Sequence, residues 1–152
     1  MEGFHFVHPV EVRFSDLDVF GHVNNAVIFT YFEIARVHYM VTVGVRAANA
    51  NLQSVAFIAA HLSCDYRKPI FYGQPVEVGA RISELGRSSL RLEHRVEANG
   101  ELAAEGSCIL VHYDYMAGKS LPISDEIRAK VVAFEGVVVQ LKNVNNVGDY
   151  LG

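Results

Sequence analysis

Between residues 26 and 43 apolar side chains are so dense that a helix there keeps no broad polar face: Thr30, Glu33, Arg36 and His38 make at most a narrow stripe. A helix apolar nearly all round has to be covered by the rest of its chain, so this one is expected at the centre of the fold. Its ends carry ordinary helix signals. Asn24 or Asn25 can cap it by accepting a first-turn N–H, Gly44 suits a left-handed C-terminal cap, and Glu33 and Arg36, three residues apart, can pair along the stripe.

The cover reads as β-structure. Over residues 7–14, Val10, Val12 and Phe14 alternate with Glu11 and Arg13, the period of a half-buried strand, and Pro9 confines its start to an edge. Residues 55–66 form a dense apolar run ending at Arg67-Lys68-Pro69, and Tyr72-Gly73-Gln74-Pro75 is a turn. Val76, Val78, Ala80 and Ile82 alternate with Glu77 and Arg81 up to a reversal at Gly86; Leu90, Leu92 and Val96 then alternate with Arg91, Glu93, Arg95 and Glu97. Asn99-Gly100 is the preferred type I′ hairpin pair, and the return strand covers residues 102–113. This order predicts an antiparallel meander with the long helix inserted after the first strand: an α+β fold whose curled sheet wraps round one central helix. Ser124 caps a shorter helix reaching Phe134. A single domain is therefore expected over residues 1–136, with 45–54 a connection and 137–152 a tail of no assigned form.

Composition narrows the function. With 51% hydrophobic and only 20% charged residues, the 152-residue chain can bury a core and is expected to be ordered. A net charge of -4, a pI near 5.9 and no basic cluster leave no footprint for nucleic acid. The apolar run is interrupted by polar side chains and residues 1–10 carry an acid and two histidines, so neither a membrane span nor a signal peptide is expected. Cys64 and Cys108 fall in strand-like sequence as ordinary small thiols and require no oxidising compartment, which makes the cytoplasm the default location.

Directly before the helix, Asp16, Asp18, His22, Asn24 and Asn25 gather with Gly21. Carboxylates beside the unpaired N–H groups and positive dipole end of a helix suit chemistry on a carbonyl, one supplying nucleophile or base and the other an oxyanion site. The same residues admit other readings. Asp16-x-Asp18-x-x-Gly21 matches the start of a calcium loop, but Phe20 and Val27 stand at the fifth and twelfth positions, where ligands belong. A transition-metal site from Asp16, Asp18 and His22 has no recognised spacing. A purely structural loop, with acids on the helix dipole and asparagines capping, fits as well. His61, His94 and His112 lie in strand-like sequence, where satisfied or solvent-facing rings are the ordinary reading.

The run Arg13-Phe14-Ser15-Asp16-Leu17-Asp18-Val19-Phe20-Gly21-His22-Val23-Asn24-Asn25, followed by Tyr31-Phe32-Glu33-Ile34-Ala35-Arg36, resembles the signature of the 4-hydroxybenzoyl-CoA thioesterase-like branch of the hotdog-fold acyl-CoA thioesterases. Asp65-Tyr66-Arg67-Lys68-Pro69, Gly73 before a strand and Gly86-Arg87-Ser88-Ser89 opening the next continue the likeness over residues 7–115.

The resemblance implies Asp18 as the catalytic carboxylate, acting as nucleophile or as general base for water, and backbone N–H groups at Val23, Asn24 and Asn25 polarising a thioester carbonyl. Asp16 becomes a turn residue supporting the site. Gly21 fits close approach to substrate, Asn24 or Asn25 can orient water or carbonyl, and His22 holds Asp18, meets substrate or simply turns the chain. Coenzyme A would run along the edge beginning at Gly86, with Arg87, Ser88 and Ser89 as contacts; Arg67 and Lys68 either meet its phosphates or are merely solvated. Ile28 departs from the tyrosine that relatives often carry, which bears on the acyl pocket. The implied substrate is an acyl-CoA or an acyl carrier protein thioester, with no metal or cofactor, and sites built across a dimer interface imply a homodimer or homotetramer. Two alternatives stay open: a hydratase of the same fold using His22 with Asp18 on an enoyl thioester, and a non-catalytic acyl-thioester binding module.

Overall fold

The computed structural model describes residues 1–46, 55–136 and 138–140. The expected connection and tail lie outside these residues except at positions 45–46 and 138–140.

The long helix, α1 (Asn25–Val43), begins where its cap dictates. Asn24 Oδ1 accepts the Ala26 N–H at 2.8 Å and its carbonyl accepts the Val27 N–H at 2.9 Å. At the other end Gly44 takes φ +86°, letting Gly44 and Val45 donate back to the Val41 and Met40 carbonyls. Glu33 and Arg36 pair at 3.8 Å. By length and composition α1 is apolar enough to cross a bilayer, a test that core helices also pass. Ile28, Tyr31, Phe32, Ala35, Tyr39, Met40 and Val43, spaced mostly three and four apart, are buried. Other apolar positions are not: Ala26 and Val37 are exposed, and Val27, Phe29, Ile34 and Val41 are half-buried. The helix is thus covered on one face rather than all round.

The first strand, β1 (Phe6–Val10), pairs antiparallel with β3 (Val76–Leu85), Phe6 opposite Ala80 and Val10 opposite Val76. It stops short of the expected end at Phe14. Arg13 N–H donates to the Asp16 carboxylate at 3.0 Å, folding Phe14–Asp16 into a 3-10 turn and leaving Phe14 73% exposed, although Val12 stays buried.

Strands β3, β4 (Ser89–Ala98) and β5 (Glu101–Asp114) are successive neighbours, as the alternation predicts. Asn99 and Gly100 both take positive φ, +52° and +74°, between β4 and β5. The meander fails at β2 (Val55–Tyr66), which pairs with β5 instead of β3, so the sheet runs β1-β3-β4-β5-β2. The turn at 72–75 is therefore no hairpin. Its approach is tied elsewhere: Arg67 and Lys68 donate to the Ala103 carbonyl, and Ile70 and Phe71 pair with Val23 and His22. Two short strands complete the sheet, β6 (Lys119–Ser120) on β5 and β7 (Val139–Gln140) parallel on β3.

The chain divides into two compact units. The first comprises Met1–Tyr39, Ser63–Arg81 and Glu93–Ser107, and its core includes Tyr31, Phe32, Val78, Ala80, His94 and Val96. The second holds Leu90, Leu92, Cys108 and Val131 in its core. In it the shorter helix α2 (Asp125–Glu135) starts at Ser124, whose Oγ accepts the Ile127 N–H at 3.2 Å. Arg128 of α2 donates to the Gly86 and Arg87 carbonyls, fixing the turn that opens β4. Cys64 is half-buried and Cys108 buried, and neither forms a disulfide among the described residues.

Candidate active site

One buried carboxylate holds the loop before α1. Asp16 is 1% exposed and accepts from the Arg13 guanidinium at 2.8 and 3.2 Å, from the Arg13 N–H, and from the Tyr31 hydroxyl at 2.8 Å. Burial opposes its ionisation, but these donors outweigh burial and hold the carboxyl below the usual carboxylate range. Burial and the facing Asp16 push the Tyr31 phenol above its ordinary value. The Asp16 carbonyl also takes the Asn24 N–H at 2.8 Å, so this residue ties the strand exit to the helix start.

Asp18 is treated differently. Its side chain is 21% exposed; Oδ1 accepts the Phe20 N–H at 2.9 Å, and Oδ2 stands 3.6 Å from His22 Nδ1. That imidazole nitrogen is also 3.3 Å from the Val23 carbonyl. A tight reversal brings the two side chains together, with Asp18 N–H on the His22 carbonyl and Gly21 N–H on the Asp18 carbonyl. Gly21 is needed for its φ of +81°; an added Cβ would touch no atom within 4 Å.

The expected row of substrate-facing amides is shorter than the sequence implied. Val23 N–H donates to the Ile70 carbonyl and Asn24 N–H to the Asp16 carbonyl, both at 2.8 Å. Each amide is therefore already committed to holding the loop. The Asn25 N–H, at the positive end of α1, has no acceptor among the described residues.

Beside Asn25 lies a cavity of about 230 Å³. Its floor is Val23, Ile28, Ile70, Ala103 and Ala104, all buried; His22, Asn25, Tyr66, Arg67 and Lys68 form the rim. Asp18 does not line it, but its neighbour His22 does. The rim's polar heads are occupied: Tyr66 donates to the Asn25 carbonyl at 2.7 Å, Arg67 pairs with Glu105 at 2.8 Å, and Lys68 pairs with Glu101. Arg87, Ser88 and Ser89 belong to the other unit, where Arg87 is exposed, Ser88 half-buried and Ser89 fully buried. Among the described residues no three histidine, cysteine or acidic side chains gather as metal ligands.

Sequence reasoning did not single out Tyr66, Ile70, Ala103 or Ala104. Ala103 and Ala104 belong to a first half of β5 that is rich in small residues, with Gly106, Ser107 and Cys108 following, and that run is the signal that space is left there. Nor did it foresee the aromatic surface around the loop: Phe14 stacks on Tyr72 at 4.2 Å, Phe71 meets His22 edge-on, and Val19 and Phe20 are 95% and 80% exposed.

Known proteins share this arrangement of chain. The family model described as the thioesterase-like superfamily matches residues 12–131. A crystal structure of a thioesterase complexed with coenzyme A and Zn, from Thermus thermophilus, is similar with a TM-score of 0.78 and 43% identity, covering 90% of this chain and 99% of that one. The uncharacterized protein YsmA of Bacillus subtilis (strain 168) is 32% identical over 124 residues, 81% of this chain and 82% of its own. The long-chain acyl-CoA thioesterase FadM of Escherichia coli (strain K12) is 25% identical over 128 residues, 80% of this chain and 93% of its own.

Proposed function

The chain belongs to the thioesterase-like superfamily and has its hotdog fold, and from that premise we propose how this thioester hydrolase cleaves an acyl-CoA, with Asp18 as its catalytic carboxylate. The observation that carries the proposal is the placement of Asp18 against His22, one short turn before the amide of Asn25. Oδ1 is anchored by Phe20, which leaves Oδ2 for chemistry. Because the carboxylate sits on a solvent-facing turn, general-base action is favoured over direct attack. Oδ2 takes a proton from water, and the water oxygen bonds to the thioester carbon. The carbonyl electrons move onto oxygen, which the Asn25 N–H and the α1 dipole stabilise. Collapse breaks the C–S bond, and the departing thiolate recovers the proton from Asp18. A positioned donor of this kind contributes about 3 kcal/mol to the barrier reduction.

Thiol release from a panel of acyl-CoAs, wild type beside Asp18→Asn, tests the assignment. The variant should lose about a hundredfold or more in kcat while keeping its fold; unchanged hydrolysis would remove Asp18 from the chemistry. Single turnover in ¹⁸O-water separates the two routes. General-base hydrolysis labels the released acid directly, whereas a mixed anhydride with Asp18 that water opens at the Asp18 carbonyl deposits the label in the protein, so label in Asp18 marks direct attack. The His22 to Asp18 approach also suits a hydratase, whose mark is water addition to an enoyl thioester without thiol release.

We further assign the coenzyme A moiety to Arg87 and Ser88, exposed and half-buried where β4 opens; Ser89, fully buried, is not a contact. An acyl carrier protein thioester offers the same pantetheine arm and competes as substrate. The working location we propose is the cytoplasm. The exposed apolar side of α1 and the aromatic residues around the loop support a homodimer or homotetramer, which light scattering would report.

A further inference from the structure

We infer that Tyr66 is a positioning residue for the hydrolysis: its hydroxyl fixes the peptide that follows the Asn25 amide and so aims that amide at the thioester oxygen, an assignment that rests on the hydrolase reading above. An N–H at the first residue of a helix is held only as firmly as the turn that carries it, and helix ends fray. Two peptides flank Asn25. The one before it bears the Asn25 N–H and is held through the Asn24 carbonyl, to which the Val27 N–H donates at 2.9 Å. The one after it is gripped at both ends. Asn24 Oδ1 accepts its N–H, that of Ala26, at 2.8 Å, and the Tyr66 hydroxyl donates to its carbonyl, that of Asn25, at 2.7 Å.

Of these bonds, the one from Tyr66 alone originates outside the turn. Tyr66 closes β2, and the two residues after it, Arg67 and Lys68, donate their N–H groups to the Ala103 carbonyl of β5 at 2.8 and 3.1 Å. The sheet thus reaches the start of α1 through one phenol. Core packing does not account for a tyrosine at this place. The residue is 44% exposed, so what it supplies here is chiefly the hydroxyl. Partial burial and the neighbouring Cys64 thiol push the phenol above its ordinary value, and the donor therefore keeps its proton wherever the enzyme works. A donor fixed in advance where charge develops stabilises an oxyanion more than one that must be ordered during the reaction.

The test is Tyr66→Phe, which keeps the ring and removes the hydroxyl. With octanoyl-CoA and benzoyl-CoA, kcat for thiol release should fall about three- to tenfold, the scale of one hydrogen bond, while KM changes by less than about twofold and circular dichroism shows the fold intact. Infrared difference spectra supply the readout that lost packing would not move. The same two thioesters, ¹³C-labelled at the carbonyl, are bound to Asp18→Asn, in which they persist. Their carbonyl stretch should move to lower frequency on binding, and adding Tyr66→Phe should return it part of the way to its position in solution. Unchanged kcat, an effect confined to KM, or a carbonyl band that Tyr66→Phe leaves in place overturns the inference. Absence of thiol release from the wild type overturns the hydrolase reading instead, and the carbonyl band then still decides the role of Tyr66.

Discussion

Asp16 and Asp18 share a loop and a residue type, and their neighbours give them opposite work. Asp16 is surrounded by donors from Arg13 and Tyr31 and is closed to substrate; Asp18 keeps one oxygen only loosely engaged. Substitution should separate them cleanly. Asp16→Asn is expected to lower unfolding stability by about 2 kcal/mol, the scale of a hydrogen bond to a charged group, and Tyr31→Phe by about 1 kcal/mol. Asp18→Asn should change stability by less than about 0.5 kcal/mol while lowering kcat about a hundredfold or more. Urea midpoints and thiol-release rates on the same preparations would show this crossing, and a stability loss at Asp18 as large as at Asp16 would contradict it. The pattern of residues alone could not divide the roles, because the deciding partner Tyr31 lies fifteen positions away. It takes the helix to bring that hydroxyl back to the loop.

At the level of elements, local signals were legible and strand neighbours were not. The caps at Asn24 and Ser124, the reversal at Asn99-Gly100 and the ends of β2 and α1 follow from rules that act within a few residues. Nothing in the local pattern says which strand lies alongside, since the dense apolar run of β2 would suit β3 or β5 equally. The one sequence clue is Gly106 in the middle of β5, where glycine marks a close approach of backbones. A Cβ there would run into the Ser63 carbonyl of β2 and come within 2.9 Å of the Phe32 ring. Gly106→Ala is therefore expected to cost about 1 to 3 kcal/mol by overpacking. Asn24→Ala should cost about 1 kcal/mol as a lost cap and should also lower kcat, because the neighbouring Asn25 amide depends on that first turn. A stable Gly106→Ala would mean that β2 and β5 lie farther apart than described. The free amides were misjudged for a related reason: Val23 pairs with Ile70, a partner that only the unforeseen crossover of β2 delivers.

For the whole molecule the consequence of these burials is an acid-labile fold. His94 points inward in the alternation Leu92, His94, Val96, as the strand period allows, and stacks on Phe32 at 4.7 Å. Burial, reinforced by Arg36, pushes its imidazole down to about 3, against an ordinary value of 6.5. The folded-state value is the lower one, so the unfolded chain binds a proton that the folded chain refuses. Stability is then full above pH 6.5 and falls by up to about 1.4 kcal/mol per pH unit as pH drops below it. Asp16 acts later and with the same sign. Its folded value lies below the ordinary 3.8, so its contribution persists above that pH and is lost only as pH falls through the depressed value. The first stage begins close to the pI near 5.9, where net charge vanishes and an unfolded fraction aggregates most readily. Thermal midpoints measured from pH 7.5 to 5.5 should therefore slope downward in wild type, above the range where ordinary carboxylates titrate appreciably. His94→Gln, whatever its absolute stability, should flatten that slope while leaving the steeper loss below pH 4. A variant with the wild-type slope would show that the proton is taken up elsewhere and that the core tolerates a charged His94.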